Sequence, residues 1–287
     1  MKSLVRLALA LGLIGLVCGT APAAWTTVDT FESYTLGNSV VGQGTWAQNA
    51  SSSLLPTFTT ELDPAGGSNQ VMKVANPGLD IANIYNNAAA LTIAESATPA
   101  TITFRIRIGA DFVRRDLTPA VSHLATPWVH TNMKAYAVFT EQSPADPILM
   151  NINIKEGPAP PGTSSGPNVD RGDAVSDVWY TMWYVFHNQV TADAAATPGD
   201  TYDVYIQGGT YGSQTLLTSG AYYRGGNCIG SLLTFVVITD SQMVGYIDDL
   251  GVDTSGQNLT VLPEPATMGL LAVGVAGLLA RRRKNRA

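Results

Sequence analysis

Apolar and polar residues alternate with a period of two in several stretches of the chain. Residues 101–108 place Ile102, Phe104, Ile106 and Ile108 on one side and Thr103, Arg105 and Arg107 on the other. Residues 148–155 set Ile148, Met150, Ile152 and Ile154 against Asn151, Asn153 and Lys155, and residues 201–207 set Tyr202, Val204 and Ile206 against Asp203, Tyr205 and Gln207. That period belongs to half-buried strands. Residues 178–186 and 232–238 are apolar on both sides, which predicts central strands whose second face is covered or turned to a ligand. Further strands are expected at 71–75, 134–140 and 244–252. No window between residues 24 and 262 carries a helical stripe with caps. Eight or more short strands separated by Gly, Pro and Asn predict an all-β fold, a single jelly-roll-like β-sandwich. The stretches 109–133, 157–177 and 188–200 read as long loops.

Both ends break the pattern. Residues 1–23 have a charged start (Lys2, Arg6), an apolar run over 7–17 and an Ala21-Pro22-Ala23 cleavage site, the layout of a secretory signal helix. Cys18 lacks the small residue immediately upstream that lipidation needs. With that segment removed Cys228 is the only cysteine, so an exported body has no internal disulfide and depends on its core. At the other end Pro263, Glu264 and Pro265 precede an apolar run over 266–280 and a basic tail over 281–287 that begins Arg281, Arg282, Arg283. As a short hydrophobic helix the run spans roughly 22 Å against a hydrocarbon core of about 30 Å, so Arg side chains must snorkel to stretch it. The basic end belongs on the cytoplasmic side and the body across the membrane. The two prolines keep the intervening backbone extended, the form a protease grips. Three segments follow: 1–23, the body 24–262, and 263–287.

This tripartite end resembles the PEP-CTERM sorting signal of Gram-negative bacteria. The resemblance implies recognition by an exosortase, a transient stay in the inner membrane, cleavage near the motif, and delivery to the cell surface or extracellular matrix. An ordinary tail anchor is the alternative.

Charge narrows the partners of the body. Two of the sixteen basic residues lie in the first segment and five in the last, which also holds one of the 22 acids. The body therefore has nine basic and 21 acidic residues, a formal charge of −12. Such a body repels nucleic acid and anionic lipid and favours divalent cations. Asp29-Thr30-Phe31-Glu32-Ser33-Tyr34, with Leu36-Gly37 and Gly44-Thr45-Trp46, resembles the opening of concanavalin A-like (laminin G-like) jelly rolls. Residues 244–252, through Tyr246-Ile247-Asp248-Asp249-Leu250, resemble their closing strand. The resemblance implies that first and last strands pair, bringing Asp29 and Glu32 near Asp248 and Asp249. Four clustered carboxylates invite structural Ca²⁺, which takes six to eight oxygens. Against this, Asp248 and Asp249 are sequence neighbours whose side chains leave a regular strand on opposite faces, and surface carboxylates closing a sheet are the plainer reading.

Aromatic residues offer a platform for sugar rings, with Trp128, Trp179, Trp183 and Tyr184 as the candidates. Along 178–186, Tyr180, Met182, Tyr184 and Phe186 share one face while Trp179 and Trp183 share the other, and one of these faces must be core. Catalysis is not expected. The paired acids of concanavalin-like glycosidases, Glu-x-Asp-x-x-Glu or Glu-x-Asp-x-Glu, are missing from the sequence. Gly162-Thr163-Ser164-Ser165-Gly166 has the spacing of a nucleophile elbow but sits in a Pro-rich stretch with no strand before it. His123, His130 and His187 have no zinc-binding spacing. Arg171-Gly172-Asp173 is an adhesion tripeptide that a charged turn explains equally well. The reading is an exported, non-enzymatic surface or matrix protein whose sandwich binds extracellular polysaccharide. An exported polysaccharide hydrolase and a structural matrix protein without a ligand are the alternatives. Ice binding is not expected without a Thr-x-Thr ladder.

Overall fold

The computed structural model describes residues 25–49, 57–78, 81–110, 116–128, 132–143, 146–155, 168–190, 199–239 and 242–262. The expected signal helix at 1–23 and the hydrophobic helix at 266–280 lie outside them. Among the described residues there is no α-helix, a 3₁₀ turn lies at Ala89–Leu91, and no helix is long and apolar enough to cross a membrane.

Among the described residues fifteen strands form two antiparallel sheets. They are β1 (Thr26–Asp29), β2 (Trp46–Gln48), β3 (Thr57–Leu62), β4 (Gln70–Asn76), β5 (Ala82–Asn86), β6 (Ala100–Ile108), β7 (Asp116–Ser122), β8 (Met133–Ser143), β9 (Asp146–Lys155), β10 (Asn168–Val175), β11 (Trp179–His187), β12 (Thr201–Gly208), β13 (Tyr211–Tyr222), β14 (Thr234–Thr239) and β15 (Met243–Asp253). The eight-stranded sheet runs β13-β12-β11-β6-β15-β4-β3, with β1 also paired to β15, and the seven-stranded sheet runs β10-β9-β8-β7-β14-β5-β2. Alternation works as expected: Ile102, Phe104 and Ile106 meet Tyr184, Phe235 and Phe139 in one buried cluster between the sheets. Phe104 packs at 5.0 Å from Phe235 of the opposite sheet and 5.3 Å from Tyr184, ring centre to ring centre. The expected pairing of first and last strands is present, Thr26 opposite Val252 and Asp29 opposite Leu250.

Two expected loops contain strands. β7 lies inside 109–133, and β10 lies inside 157–177 and carries Arg171-Gly172-Asp173 at a bulge between Asp170 and Asp173. The tripeptide therefore sits in a bulged edge strand. Gly162 to Gly166 and His130 lie outside the described residues.

Each sheet has a covered outer face. On the eight-stranded sheet Trp183, Thr103 and Gly251 sit in one row across β11, β6 and β15. The segment 254–262 crosses this row. Thr260 accepts from Trp183 Nε1 through its carbonyl (3.0 Å) and from Trp25 Nε1 through its hydroxyl (3.0 Å). Asn258 N donates to Thr101 Oγ1 (3.0 Å), and Gln214 Nε2 donates to the Leu259 carbonyl. Leu262 packs so closely on position 251 that a Cβ there would stand 2.8 Å from its Cδ1 and push that side chain aside. On the seven-stranded sheet Tyr85, Ala120, Met133, Tyr136, Val138, Val236 and Ile238 form a second, smaller apolar cluster.

Candidate ligand-binding face

The eight predicted binding residues are dispersed over the fold. Tyr184 points into the core, wholly buried, where its hydroxyl accepts from Ala137 N (3.0 Å) and donates to the Pro119 carbonyl (2.9 Å). Trp183 points the other way and is equally buried, because segment 254–262 seals it. Neither ring presents a face to a ligand, so both expectations are corrected. Trp179 is only partly buried, yet its Nε1 donates to Asp63 Oδ1 (3.0 Å) and the Arg105 guanidinium lies 4.6 Å from its ring centre. Trp128 is half-buried, and its carbonyl accepts from Asn83 Nδ2 on the outward side of β5.

The four acids do not converge either. Asp29 is spent on Phe31 N (2.8 Å), Trp46 Nε1 (2.7 Å) and the Tyr34 hydroxyl. Glu32 accepts from Gln70 N at 2.9 Å. Asp248 and Asp249, expected on opposite faces, are on the same one. A bulge with Asp249 at φ 50° breaks the register between Asp248 and Gly251, and both carboxylates turn to Arg105, at 3.7 and 3.3 Å. Among the described residues no three His, Cys, Asp or Glu side chains gather so as to hold a metal. The set that the opening and closing strands were expected to offer to calcium does not fit it.

What the bulge creates is a buried acid pair. Asp248 is fully buried, receives Asn69 Nδ2 at 2.8 Å, and has one oxygen without a hydrogen bond. Burial first, and the neighbouring Asp249 second, push its carboxyl up to about 8 from an ordinary 3.8. Between those values the unfolded chain releases a proton that the folded one keeps. Stability attached to this group is therefore present at pH 4 and is lost as pH rises toward 8, by up to about 1.4 kcal/mol per pH unit. Asp248→Asn should flatten that decline and be more stable than the parent at pH 8. Urea denaturation at pH 5 and pH 8 measures it, and parallel pH profiles would refute the assignment.

The outer face of the seven-stranded sheet is buried along β5, β14, β7 and most of β8, and partly exposed polar side chains remain at its β8–β9 end. Inward Ala137, Phe139, Ile152 and Ile154 leave Tyr136, Val138 and Thr140 of β8, and Asn151, Asn153 and Lys155 of β9, pointing outward. Asn153 Nδ2 donates to Thr140 Oγ1 at 2.8 Å, and Asn151 Oδ1 is buried without a hydrogen bond. Over Tyr136 lies Arg224, from the segment after β13, with Cζ 5.8 Å from the ring centre and Nη1 donating to the hydroxyl at 3.2 Å. That segment is fixed to β8 by Arg224 N donating to the Lys134 carbonyl (2.8 Å) and by Lys134 Nζ donating to the carbonyls of Gly226 (3.2 Å) and Asn227 (2.9 Å). Burial lowers the affinity of Lys155 for its proton, and the charge of Arg224 lowers it further. His123, at the start of the β7–β8 connection, is lowered by burial and then by Lys134. From Asn83 on β5 to Asn153 on β9 the face spans four strand spacings, roughly 19 Å.

Residues 261–284 match the family model of the PEP-CTERM protein-sorting motif. The chain ends in a PEP-CTERM sorting signal. Pro263, Glu264, Pro265 and Arg281 to Arg283 fall within the match and outside the described residues. A PEP-CTERM signal marks a chain that is exported, anchored in the membrane for sorting, and finished outside the cell or on its surface. No curated protein matches the chain. Among solved structures it is similar to the lectin UEA-II complexed with galactose (11% identity, 81% of this chain, 99% of that one, TM-score 0.47). It is also similar to alginate lyase vAL-1 from a Chlorella virus (11%, 74% and 94%, TM-score 0.45). A third is the carbohydrate esterase vb_24B_21 from the Shiga toxin-encoding bacteriophage phi24B (14%, 80% and 98%, TM-score 0.43). None is close enough to lend a residue role to this PEP-CTERM chain.

The sequence reading missed Tyr136, Arg224 and Lys155 as a group. Tyr136 and Lys155 carry an alternation signal, but Arg224 comes from a distant stretch with no pattern of its own.

Proposed function

We propose that this PEP-CTERM chain is a surface or extracellular-matrix protein that binds glycan, without turnover, on the outer face of its seven-stranded sheet. The observation that carries the reading is one sheet face with partly exposed Asn151, Asn153 and Thr140 as hydroxyl partners at its β8–β9 end and a half-buried Trp128 held by Asn83 of β5. Sugars need both: an aromatic side for the C–H face and amide groups for the hydroxyls. Trp179 is outside this reading because Arg105 already occupies its ring.

A glycan array probed with the secreted, processed protein tests it, run with and without calcium. Trp128→Ala should weaken binding about tenfold, the loss of one stacking contact of order 1–1.5 kcal/mol, and Trp179→Ala should leave it unchanged. Retention on no glycan would overturn the reading in favour of a purely structural matrix protein. Release of oligosaccharides from a polysaccharide panel would replace it with a hydrolase.

A further inference from the structure

Most cations of the body fall into two groups. On the eight-stranded sheet they are paired with acids: Lys73 with Glu61 (3.0 Å), Arg105 with Asp248 and Asp249, and Arg107 with Asp177 (3.1 Å). Across the molecule, Lys134, Lys155 and Arg224 converge on the outer face of β8 and β9. Arg224 spends its hydrogen bond on a neutral phenol, and Lys134 gives two of its own to backbone carbonyls. Among the described residues neither Lys155 nor Arg224 has a carboxylate partner.

That arrangement is costly. Two cations close enough to repel, one of them nearly buried, raise the energy of the folded chain unless negative charge arrives from elsewhere. The body carries 21 acids, so carboxylates were not scarce, yet none pairs with these two among the described residues. An incoming anionic group would satisfy Arg224 and Lys155 together. The Arg224 guanidinium is held near Tyr136 through Nη1, and a guanidinium can bind carboxylate or sulfate through two parallel N–H groups.

We infer that the glycan held on this face is an acidic polysaccharide, its carboxylate or sulfate groups received by Arg224 and Lys155 at the β8–β9 end. The inference rests on the glycan-binding reading and adds the charge of the ligand to it. The net negative body then acts as a filter: acidic chains are repelled by most of the surface, Asp116, Asp170 and Asp173 beside this face included, and are received only at the two cations.

Binding of the secreted, processed protein to four probes tests it: polygalacturonate, its methyl ester, dextran sulfate and neutral dextran. Polygalacturonate or dextran sulfate should bind at least tenfold more tightly than neutral dextran, and less tightly as salt rises from about 0.05 to 0.5 M. Retention of dextran sulfate alone would make sulfate the source, and loss on methyl esterification would make it carboxylate. Arg224→Gln and Lys155→Gln should each lower affinity for the acidic probe about tenfold, whereas Arg224→Lys keeps the charge and should lose less. Thermal melts of each variant separate lost contacts from lost fold. Equal binding of neutral and acidic probes, or unaltered affinity in both glutamine variants, would overturn the acidic class. The glycan reading would still stand if Trp128→Ala weakened binding. Binding of no glycan at all would overturn both.

Discussion

Replacing Pro263, Glu264 and Pro265 by alanine should leave essentially all of the protein full-length and in the membrane fraction. The reason lies in the order of the three segments. A first segment that carries the body across would leave residues 266–280 to hold the chain and the guanidinium groups of Arg281 to Arg283 to stop it, each costing at least ~2.5 kcal/mol to draw into hydrocarbon. Release would then depend on a cut near the motif, where the sequence Pro263-Glu264-Pro265 disfavours helix and a run of alanines would not. An immunoblot of membrane and secreted fractions, in a host carrying an exosortase, reads the outcome. Changing Arg281, Arg282 and Arg283 to Asn should instead weaken retention before processing. If the triple-alanine chain is cut and released like the parent, the motif is not what the protease reads.

Tyr184→Phe should destabilise the sandwich by about 3 kcal/mol, although it removes a single oxygen atom. The β7–β8 ladder has a gap at Pro119, which has no N–H to give. The Tyr184 hydroxyl reaches across from the other sheet into that gap, accepting from Ala137 N and donating to the Pro119 carbonyl. With phenylalanine both backbone groups remain buried and unsatisfied, at about 1–3 kcal/mol each. Complete burial is also what pushes the hydroxyl far above the usual tyrosine range, so it stays protonated at any pH the protein meets. Urea unfolding of parent and variant measures the difference. A change below ~1 kcal/mol would mean that the gap closes by itself.

The strands that are buried on both faces or alternate cleanly, β6, β11, β12 and β14, were legible because packing repeats at every second residue. β7 was not. Pro119 falls in its middle, and a proline inside an apolar run argues against a central strand until a side chain from the other sheet is seen to repair the ladder. β13 was missed for a different reason: its outward positions are exposed and its small residues Gly212, Ser213 and Gly220 leave no apolar period. The candidate site was less legible than the fold. That either Trp183 or Tyr184 would be core could be read from alternation; that both are buried could not, because the cover over Trp183 is 254–262, which has no strand pattern. Asp248 and Asp249 were placed on opposite faces by the same rule, and a left-handed φ at Asp249 put them together. Side-chain chemistry gathered from three separate segments, as with Tyr136, Lys155 and Arg224, leaves no mark on any one of them.

Segment 254–262 also decides how the body carries load. A pull applied at residue 263, as a membrane-held chain experiences, acts first on Leu262 and on the Thr260 contacts to Trp183 and Trp25. Those contacts lie flat on the outer face, so they break in succession, like a seam unpicked from its end. Only when about nine residues of slack have been drawn out, roughly 30 Å of extended chain, does tension reach β15 at the centre of its sheet. The tether thus has its own shock absorber, and the sheets are the last elements of the body to feel the strain.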